Sequence, residues 1–291
     1  MLSYLRKISC RIQVAMARFP QVYRWGSAKR KPDGWWNLLP FTTHKIQIAD
    51  GLWTVHTGVI AEADVRSHFV LEALGGSLAG KSVVDLGCLE GGFSVAFARL
   101  GAERVLGIEA REISYRRCEL VRQLLGFQNL RFVHGDFKDV LAATAPFDVV
   151  LACGVLYHVS DPVALIDQIF ASCTQLALID THVANSDNPF PGCEPEIVTH
   201  TFRGKQYQGM VFTEFHSSRF VAEREQALWA AWSDQKSFWP TEEALVEMLR
   251  EAGFSRVEKL DPSSREEPFF VAPLNRVVYM CYRSSSRSCC A

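Results

Sequence analysis

A short apolar run that ends in an acid and a glycine-rich loop constrains the fold of this 291-residue chain most strongly. It occupies residues 82–92, where Val83 and Val84 precede Asp85 and where Gly87 follows. β-Branched residues favour a strand, and glycine permits the tight turn between a strand and a following helix. Apolar residues at helical spacing come directly after the last glycines of the run. We therefore predict a strand, a tight loop and a helix, in that order.

The loop favours a positively charged ligand over a dinucleotide. Gly87, Gly91 and Gly92 lack the G-x-G-x-x-G spacing of a dinucleotide fingerprint. A phosphate at a helix N-terminus also prefers an uncharged loop, whereas Asp85 and Glu90 place two carboxylates here. Carboxylates suit a ligand with an ammonium and a sulfonium, and S-adenosylmethionine has both and no phosphate. The residues at the ends of the next strands provide a test of this ligand.

Acids or small residues follow the next three predicted strands as well. The second strand carries Glu109 near its end, about 20 residues beyond the loop, where an acid can accept from both ribose hydroxyls. After the third strand, Asp136 can accept from the adenine amine and Phe137 can cover the ring face. Any one of these acids could serve merely as a helix N-cap. Four such strand ends in succession instead favour a ligand site at one pole of an open α/β sheet.

Four segments together resemble class I S-adenosylmethionine-dependent methyltransferases. They are 84–88 (Val-Asp-Leu-Gly-Cys), 107–109 (Gly-Ile-Glu), 135–136 (Gly-Asp) and 147–150 (Phe-Asp-Val-Val). The resemblance covers about residues 80–181 well and extends more loosely to the C-terminus. It implies an α/β fold with a Rossmann-like, doubly wound sheet of seven strands. We expect this sheet to be mostly parallel, with an antiparallel last strand and a cap insertion after strand 5.

The resemblance also implies roles toward the cofactor, S-adenosylmethionine. Asp85 and the backbone of Gly87 would hold the methionine moiety, while Glu109 would hold the ribose and Asp136 the adenine. Leu89 stands where the family has the middle glycine of the loop, so we expect a slightly more open loop there. The predicted cofactor-binding residues are Asp85, Gly87, Gly91, Glu109, Asp136, Phe137 and Tyr157.

A narrower resemblance lies in the segment 154–158, Gly-Val-Leu-Tyr-His. It is similar to the branch that contains the tRNA wobble-uridine carboxymethyltransferases and their uncharacterised bacterial relatives. In those enzymes, a lysine upstream of the first strand and the tyrosine of this segment help to bind a carboxylated cofactor. Tyr157 is present, but no lysine occurs between Lys45 and Lys81. Ordinary S-adenosylmethionine is therefore the better prediction.

The chain is long enough for one catalytic domain with appendages. A helix over 61–78 is predicted to precede the first strand of the sheet. The cap is rich in Phe and Trp, so we expect it to be folded and to hold the determinants of substrate choice. The predicted divisions are a basic amphipathic segment at 1–32, a pre-sheet segment at 33–79, a methyltransferase domain at 80–283 with the cap at 183–240, and a tail at 284–291.

Composition predicts a cytoplasmic enzyme without a metal site. The net charge is −1, so nothing in the overall balance demands a polyanionic partner. The nine cysteines are scattered without a C-x-x-C pair, which argues against structural zinc and fits a reducing compartment. We found no run of 18 apolar residues, so we expect no membrane span.

The first 32 residues differ from the rest because they hold eight Lys or Arg residues and no acid. Apolar residues recur among these cations at helical spacing. Such a segment suits peripheral contact with an anionic membrane through residues 1–31, contact with a tRNA backbone, or organellar targeting. Packing against the catalytic domain is an equally simple interpretation. The sequence leaves these alternatives open.

Three residues are the candidates for chemistry. His158 follows the fourth strand, beside the reactive end of the cofactor, and is the first candidate for a general base. His182 follows the fifth strand, and Glu214 lies in the cap together with His216. Packing or helix-capping roles for these histidines are an open alternative.

We predict methyl transfer to a hydroxyl or carbon of a small-molecule or glycan acceptor. The aromatic cap with few basic residues suits a sugar or an aromatic metabolite better than a phosphate backbone. A tRNA wobble-uridine-modifying transferase is the first alternative. A methyltransferase-fold scaffold without catalysis is the second.

Overall fold

The computed structural model describes residues 29–30, 36–37, 41–55, 57–187, 196–215, 221–266 and 275–284. The basic segment predicted at 1–32 lies outside these ranges apart from residues 29 and 30, and the tail lies outside them apart from residue 284. His216 and the cap residues 188–195 are also outside.

Within these ranges the chain forms three sheets. Their strands are β1 (Lys29–Arg30), β2 (Trp36–Asn37), β3 (Gln47–Ala49), β4 (Leu52–Trp53), β5 (Ser82–Leu86), β6 (Arg104–Glu109), β7 (Leu130–His134), β8 (Phe147–Cys153), β9 (Cys173–His182), β10 (Val198–Phe202), β11 (Lys205–Thr213), β12 (Lys236–Pro240), β13 (Arg256–Leu260) and β14 (Arg276–Tyr282). The first four strands make a small sheet that precedes the central one.

Helices separate the strands of the central sheet. They are α1 (Val65–Ala73), α2 (Gly92–Arg99), α3 (Glu112–Leu125), α4 (Phe137–Ala142), α5 (Pro162–Ser172), α6 (Val221–Gln226) and α7 (Glu242–Glu251). Two short 3-10 turns occur at Leu156–His158 and Pro262–Ser264.

The central sheet has seven strands in the order β13-β14-β9-β8-β5-β6-β7. All neighbouring pairs from β9 to β7 are parallel, and β14 is antiparallel to both of its neighbours. This order and these directions confirm the predicted Rossmann-like sheet with an antiparallel last strand. The chain starts the sheet at β5 and builds outward on both sides. The carboxyl ends of β5 and β8 therefore flank a topological switch point, where open α/β sheets bind ligands.

The strands are buried on both faces because helices cover each side of the sheet. Val83 of β5 lies beside Val149 of β8 and packs into the apolar cluster on one face. The next residues along, Val84 and Val150, pack into the cluster on the other face. Alternation of side chains along a strand explains why a continuous β-branched run suits this position.

Helix α1 is shorter than the helix predicted over 61–78. It begins at Val65 because the side chain of Asp64 accepts a hydrogen bond from the Arg66 N–H, 2.9 Å away. It ends at Ala73, before a pair of glycines. An aspartate N-cap inside an apolar pattern explains the difference, since the pattern continues into the turn that precedes the helix.

The insertion between β9 and α7 folds over the carboxyl pole of the central sheet. Strands β10, β11 and β12 form an antiparallel sheet within it. The Phe238 N–H donates to the Val159 carbonyl over 3.0 Å, and the Trp239 indole donates to the Tyr157 carbonyl over 2.8 Å. These bonds fix the cap against the turn at Leu156–His158.

Candidate cofactor and active site

A cavity opens at the carboxyl ends of β5, β6 and β8, under the cap. Six of the residues predicted from sequence line it: Asp85, Gly87, Glu109, Phe137, Tyr157 and His158. The lining, as far as the structure describes it, does not include Gly91, Asp136, His182 or Glu214. Each of these four nevertheless contacts or supports an element of the site.

Asp85 is a buried carboxylate at the end of β5. Its side chain accepts a hydrogen bond from the Ser94 hydroxyl over 2.6 Å. Burial raises the pKa of Asp85 to about 7, and this hydrogen bond opposes the rise only in part. A cation that enters the cavity would stabilise the charged form of this residue.

Gly87 and Gly91 shape the turn that follows Asp85. Both have positive φ, and a Cβ on Gly87 would lie 2.6 Å from a methyl group of Val155. A Cβ on Gly91 would lie 2.8 Å from the Phe132 ring. Only glycine therefore fits at either position without displacing a neighbour.

Leu89 adopts a φ of 53°, in the left-handed region that glycine favours. Its N–H donates to the Glu109 carboxylate over 2.8 Å. The loop thus has a glycine-like backbone at Leu89, tied to the next strand, although the side chain is large.

Glu90 has a structural role that the sequence did not suggest. Its side chain is fully buried and accepts from the N–H groups of Thr42, Thr43 and His44, each at 2.9 Å. Arg117 donates to the same carboxylate over 2.8 Å. The expectation that Glu90 offers a carboxylate to the ligand is corrected: it clamps the segment 41–55 onto the loop.

Glu109 lies at the end of β6 and is 3% exposed. One carboxylate oxygen accepts from the Arg111 N–H over 2.7 Å and the other from the Leu89 N–H. Burial raises the pKa of Glu109, and these two bonds oppose the rise. Each oxygen keeps a further lone pair, so the carboxylate can still accept from a diol.

Asp136 caps helix α4 at the third strand end. One of its oxygens accepts from the Lys138 N–H over 3.0 Å, and the other accepts from the Ser233 hydroxyl over 3.2 Å. The next residue, Phe137, lines the cavity. The structure thus places Phe137 at the cavity and Asp136 next to it in the chain.

Two of the three arginines that line the cavity are paired with acids, and sequence reasoning missed both. The Arg66 guanidinium donates twice to Asp64, at 2.8 Å each, and once to Asp180. Arg276 donates twice to Asp180, with its Nη2 at 2.9 Å. The guanidinium of Arg276 also lies 5.9 Å from the centre of the Tyr157 ring. Two positive and two negative charges leave this network neutral.

His158 lines the cavity and forms a hydrogen-bonded pair with Glu214. The His158 Nδ1 lies 2.9 Å from a Glu214 oxygen. Glu214 is buried in the cap and also accepts from the Ser237 hydroxyl at 2.9 Å and the Ala231 N–H at 2.8 Å. A carboxylate only accepts, so this pairing assigns the proton to Nδ1 and leaves Nε2 as the basic nitrogen.

His182 is buried among aromatic rings. It stacks on Trp239 with ring centres 4.9 Å apart, and it meets Tyr157 edge-on at 4.6 Å. This packing supports Tyr157, which does line the cavity. The packing role left open by the sequence accounts for all of these contacts.

The cap segment 224–232 closes one side of the cavity. The Arg111 guanidinium donates to the carbonyls of Arg224 at 3.1 Å and Ala227 at 2.7 Å. The Glu225 carboxylate accepts from two N–H groups at the start of α3, at 3.0 and 3.2 Å. Trp229 lines the cavity and is 64% exposed. The hydrogen bonds of Arg111 and Glu225 thus hold the segment that carries Trp229 over the cavity.

Comparison with known proteins identifies the family. The model described as "Methyltransferase domain" matches residues 61–259, which include the strand ends and most of the cap. The chain belongs to this methyltransferase family. The N-terminal domain of EvdMO1, solved with SAH bound, is similar at 26% identity and a TM-score of 0.56, covering 77% of this chain and 81% of that one. The cofactor is therefore S-adenosylmethionine, as predicted.

The curated relatives of this methyltransferase have different acceptors. A tRNA U34 carboxymethyltransferase of Pseudomonas fluorescens (strain SBW25) is 28% identical over 186 residues, covering 64% of this chain and 49% of that protein. A ubiquinone biosynthesis O-methyltransferase of Psychrobacter arcticus is 41% identical over 95 residues, 32% of this chain and 37% of that protein. The chain thus spans about half the length or less of these two relatives.

The described ranges contain neither a metal-ligand cluster nor a membrane-spanning helix. No group of three His, Cys, Asp or Glu side chains there is arranged to hold a metal ion. None of the helices described is long and apolar enough to span a bilayer.

Proposed function

We propose that this methyltransferase transfers a methyl group from S-adenosylmethionine to a hydroxyl of a small-molecule or glycan acceptor. The observation that carries the proposal is the His158–Glu214 pair, because it places an oriented imidazole at the cavity. Transfer to a hydroxyl needs a base for the proton, whereas a neutral amine can attack through its own lone pair and lose its proton afterwards. The Psychrobacter relative, named as an O-methyltransferase, supports this choice.

The residues of the cavity suit the cofactor. We assign Asp85 to its ammonium, because burial leaves this carboxylate with a raised pKa although Ser94 donates to it. Glu109 accepts from the ribose hydroxyls, and Phe137 covers the adenine. Gly87 lets the ligand approach the backbone.

Gly91, Asp136 and Tyr157 complete this assignment. Gly91 keeps the turn that aligns Asp85, and Asp136 positions Phe137 by capping α4. Tyr157 lines the cavity between Arg276 and the turn that bears His158. When bound, the cofactor supplies a methyl group already activated by its sulfonium.

The chain's own contribution to the reaction is alignment and proton removal. His158 takes the proton of the acceptor hydroxyl at Nε2. Glu214 holds the imidazole by Nδ1 and stabilises the imidazolium that forms. Ser237 and the Ala231 N–H keep Glu214 in place, so the base is positioned before the acceptor arrives.

The cavity wall favours an uncharged acceptor. Trp229 lines it and offers a flat, exposed apolar face for a sugar ring or an aromatic metabolite. Arg66 and Arg276 do not add a net positive charge, because Asp64 and Asp180 neutralise them. A phosphate-rich acceptor would require such a charge.

Substitution at His158 tests the catalytic assignment. Methyl transfer from tritium-labelled S-adenosylmethionine should be measured against a panel of phenols, sugars and tRNA. We expect His158→Ala to reduce the turnover of the accepted substrate about 100-fold to 10,000-fold while cofactor binding persists. His200→Ala is the matched control, since His200 is exposed in the cap and stacks on Phe238. Turnover by His158→Ala equal to that of the wild type would overturn the assignment of His158 as the base.

A tRNA wobble-uridine-modifying transferase is the second candidate. It is favoured by the Pseudomonas relative, which is named as a tRNA U34 carboxymethyltransferase. On this alternative the basic residues 1–31 would supply the backbone contacts. Retention of tRNA that falls steeply with salt and is lost on deleting residues 1–31 would support it. Absence of salt-dependent tRNA binding would remove it.

A further inference from the structure

The cofactor's methionine end carries a carboxylate that needs hydrogen-bond donors, and most of the loop's donors are already used. Four N–H groups of the loop have partners within the protein. They are Cys88 to the Ile108 carbonyl at 2.9 Å, Leu89 to Glu109 at 2.8 Å, Gly91 to the Cys88 carbonyl at 2.7 Å and Gly92 to His44 at 2.8 Å. The helix N-terminus that would usually receive an anion is therefore occupied by an imidazole.

The cations of the cavity are committed as well. Arg66 holds Asp64 and Asp180, Arg276 holds Asp180, and the third arginine of the lining, Arg111, donates to carbonyls of the cap. Withdrawing either guanidinium would remove a hydrogen-bond donor from a buried carboxylate, which is costly. A donor that is not already paired with an acid would serve an entering carboxylate better.

His44 offers that donor. Its Nδ1 accepts from the Gly92 N–H, so the ring proton of the neutral imidazole lies on Nε2. The described residues give Nε2 no hydrogen-bond partner, and His44 lines the cavity beside Arg66 and Asp85. The Nε2–H group of His44 is thus available to donate to a ligand in the cavity.

We propose that His44 binds the methionine carboxylate of S-adenosylmethionine through its Nε2–H. This inference rests on the cofactor placement proposed above, and it makes the segment 41–55 part of the cofactor site. Asp85 and His44 would then divide the two charges of the methionine end between them. The ammonium pairs with the acid, and the carboxylate pairs with the imidazole.

The surroundings of His44 prepare it for this role. Glu90 accepts from the His44 N–H and from the two N–H groups before it, which fixes the backbone that carries the ring. Desolvation lowers the pKa of His44, and the charge of Glu90 opposes this effect. The ring therefore serves as a neutral donor whose direction is set before the cofactor binds.

Two ligands that differ only in the carboxylate test the proposal. Calorimetry should compare S-adenosylmethionine with decarboxylated S-adenosylmethionine for the wild type, His44→Asn and His44→Gln. Asparagine can still accept from the Gly92 N–H but cannot reach the cavity, whereas glutamine keeps a donor near the position of Nε2. Thermal unfolding of each variant reports separately on the fold.

We expect His44→Asn to weaken S-adenosylmethionine about 10-fold to 100-fold and to leave the decarboxylated ligand within about twofold, because a hydrogen bond to a charged group is lost. His44→Gln should keep a larger part of the preference for the carboxylated ligand. Equal weakening of both ligands, or no weakening of either, would overturn the role of His44 while leaving the cofactor site intact. Failure of the wild type to bind either ligand would instead overturn the site itself.

Discussion

Asp85 and Asp180 are buried aspartates at the same pole of the sheet, yet the protein treats them in opposite ways. Asp180 is fully buried in β9 and receives hydrogen bonds from Arg66 and Arg276. Burial by itself would raise its pKa, but the two arginines hold the pKa of Asp180 below the ordinary value. Asp85 receives hydrogen bonds from Ser94 rather than from an arginine, and burial raises its pKa to about 7.

The difference separates a structural acid from a binding acid. Asp180 is complete without a ligand, since its charge is matched inside the protein. Burial destabilises the charged form of Asp85, and a cation in the cavity would reduce this destabilisation. Buried charge that the protein does not compensate is therefore a better guide to the cofactor site here than acid content alone.

Removal of Asp180 should have the largest effect on stability. Asp180→Ala leaves two buried guanidinium groups short of a partner, and we expect it to cost about 3–5 kcal/mol in the free energy of unfolding. Denaturant unfolding measures this change. A loss below about 1 kcal/mol would show that the network is not structural and would break the contrast with Asp85.

Replacement of Asp85 should act in the opposite direction when no cofactor is present. The folded-state pKa of Asp85 lies above its ordinary value of 3.8, so the folded state binds the extra proton between about pH 4 and pH 7. Wild-type stability should therefore fall as pH rises through this window. We expect Asp85→Asn to be more stable than wild type by about 2–3 kcal/mol at pH 8 and to lose most of the advantage at pH 4.

Unfolding curves at pH 4, 6 and 8 check this sign. Glu103→Gln is a suitable control, because Glu103 is an exposed acid outside the cavity. An Asp85→Asn variant that is less stable than wild type at pH 8 would contradict the account of Asp85 as an uncompensated charge.

Replacement of an exposed aspartate should have the smallest effect on stability. Asp161 is exposed, and its carboxylate accepts from the Ala164 N–H over 2.9 Å at the start of α5. We expect Asp161→Ala to cost about 1 kcal/mol, the usual value for an N-cap. Thermal unfolding measures it, and a cost as large as that of Asp180→Ala would mean that burial does not set the ranking.

Much of the sheet and part of the site could be predicted from local sequence. Asp85 and Glu109 each end a buried strand, so their place at one pole follows from strand order alone. Asp136 shows the limit of this reasoning, since an acid before a helix looks the same in sequence whether it caps the helix or contacts a ligand. One of its carboxylate oxygens caps α4 in the structure, and its contact with the adenine stays a prediction.

The remaining residues of the site depend on contacts that are distant in sequence. His158 and Glu214 were each candidates, but their pairing across 56 residues appears only when the cap folds. His44 reaches the loop through Glu90, which no local pattern predicts. Arg66 gives no signal because its position in an apolar helix does not reveal that acids surround it.

Cofactor binding tests the central claim most directly, namely that the cavity at Asp85 and Glu109 holds S-adenosylmethionine. Calorimetry should compare the wild type with Glu109→Gln and with the matched control Glu112→Gln, an acid three residues along that pairs with Arg116. We predict micromolar binding for the wild type and the control, and binding at least about 10-fold weaker for Glu109→Gln. Equal affinity in all three proteins, or no binding by the wild type, would contradict the account.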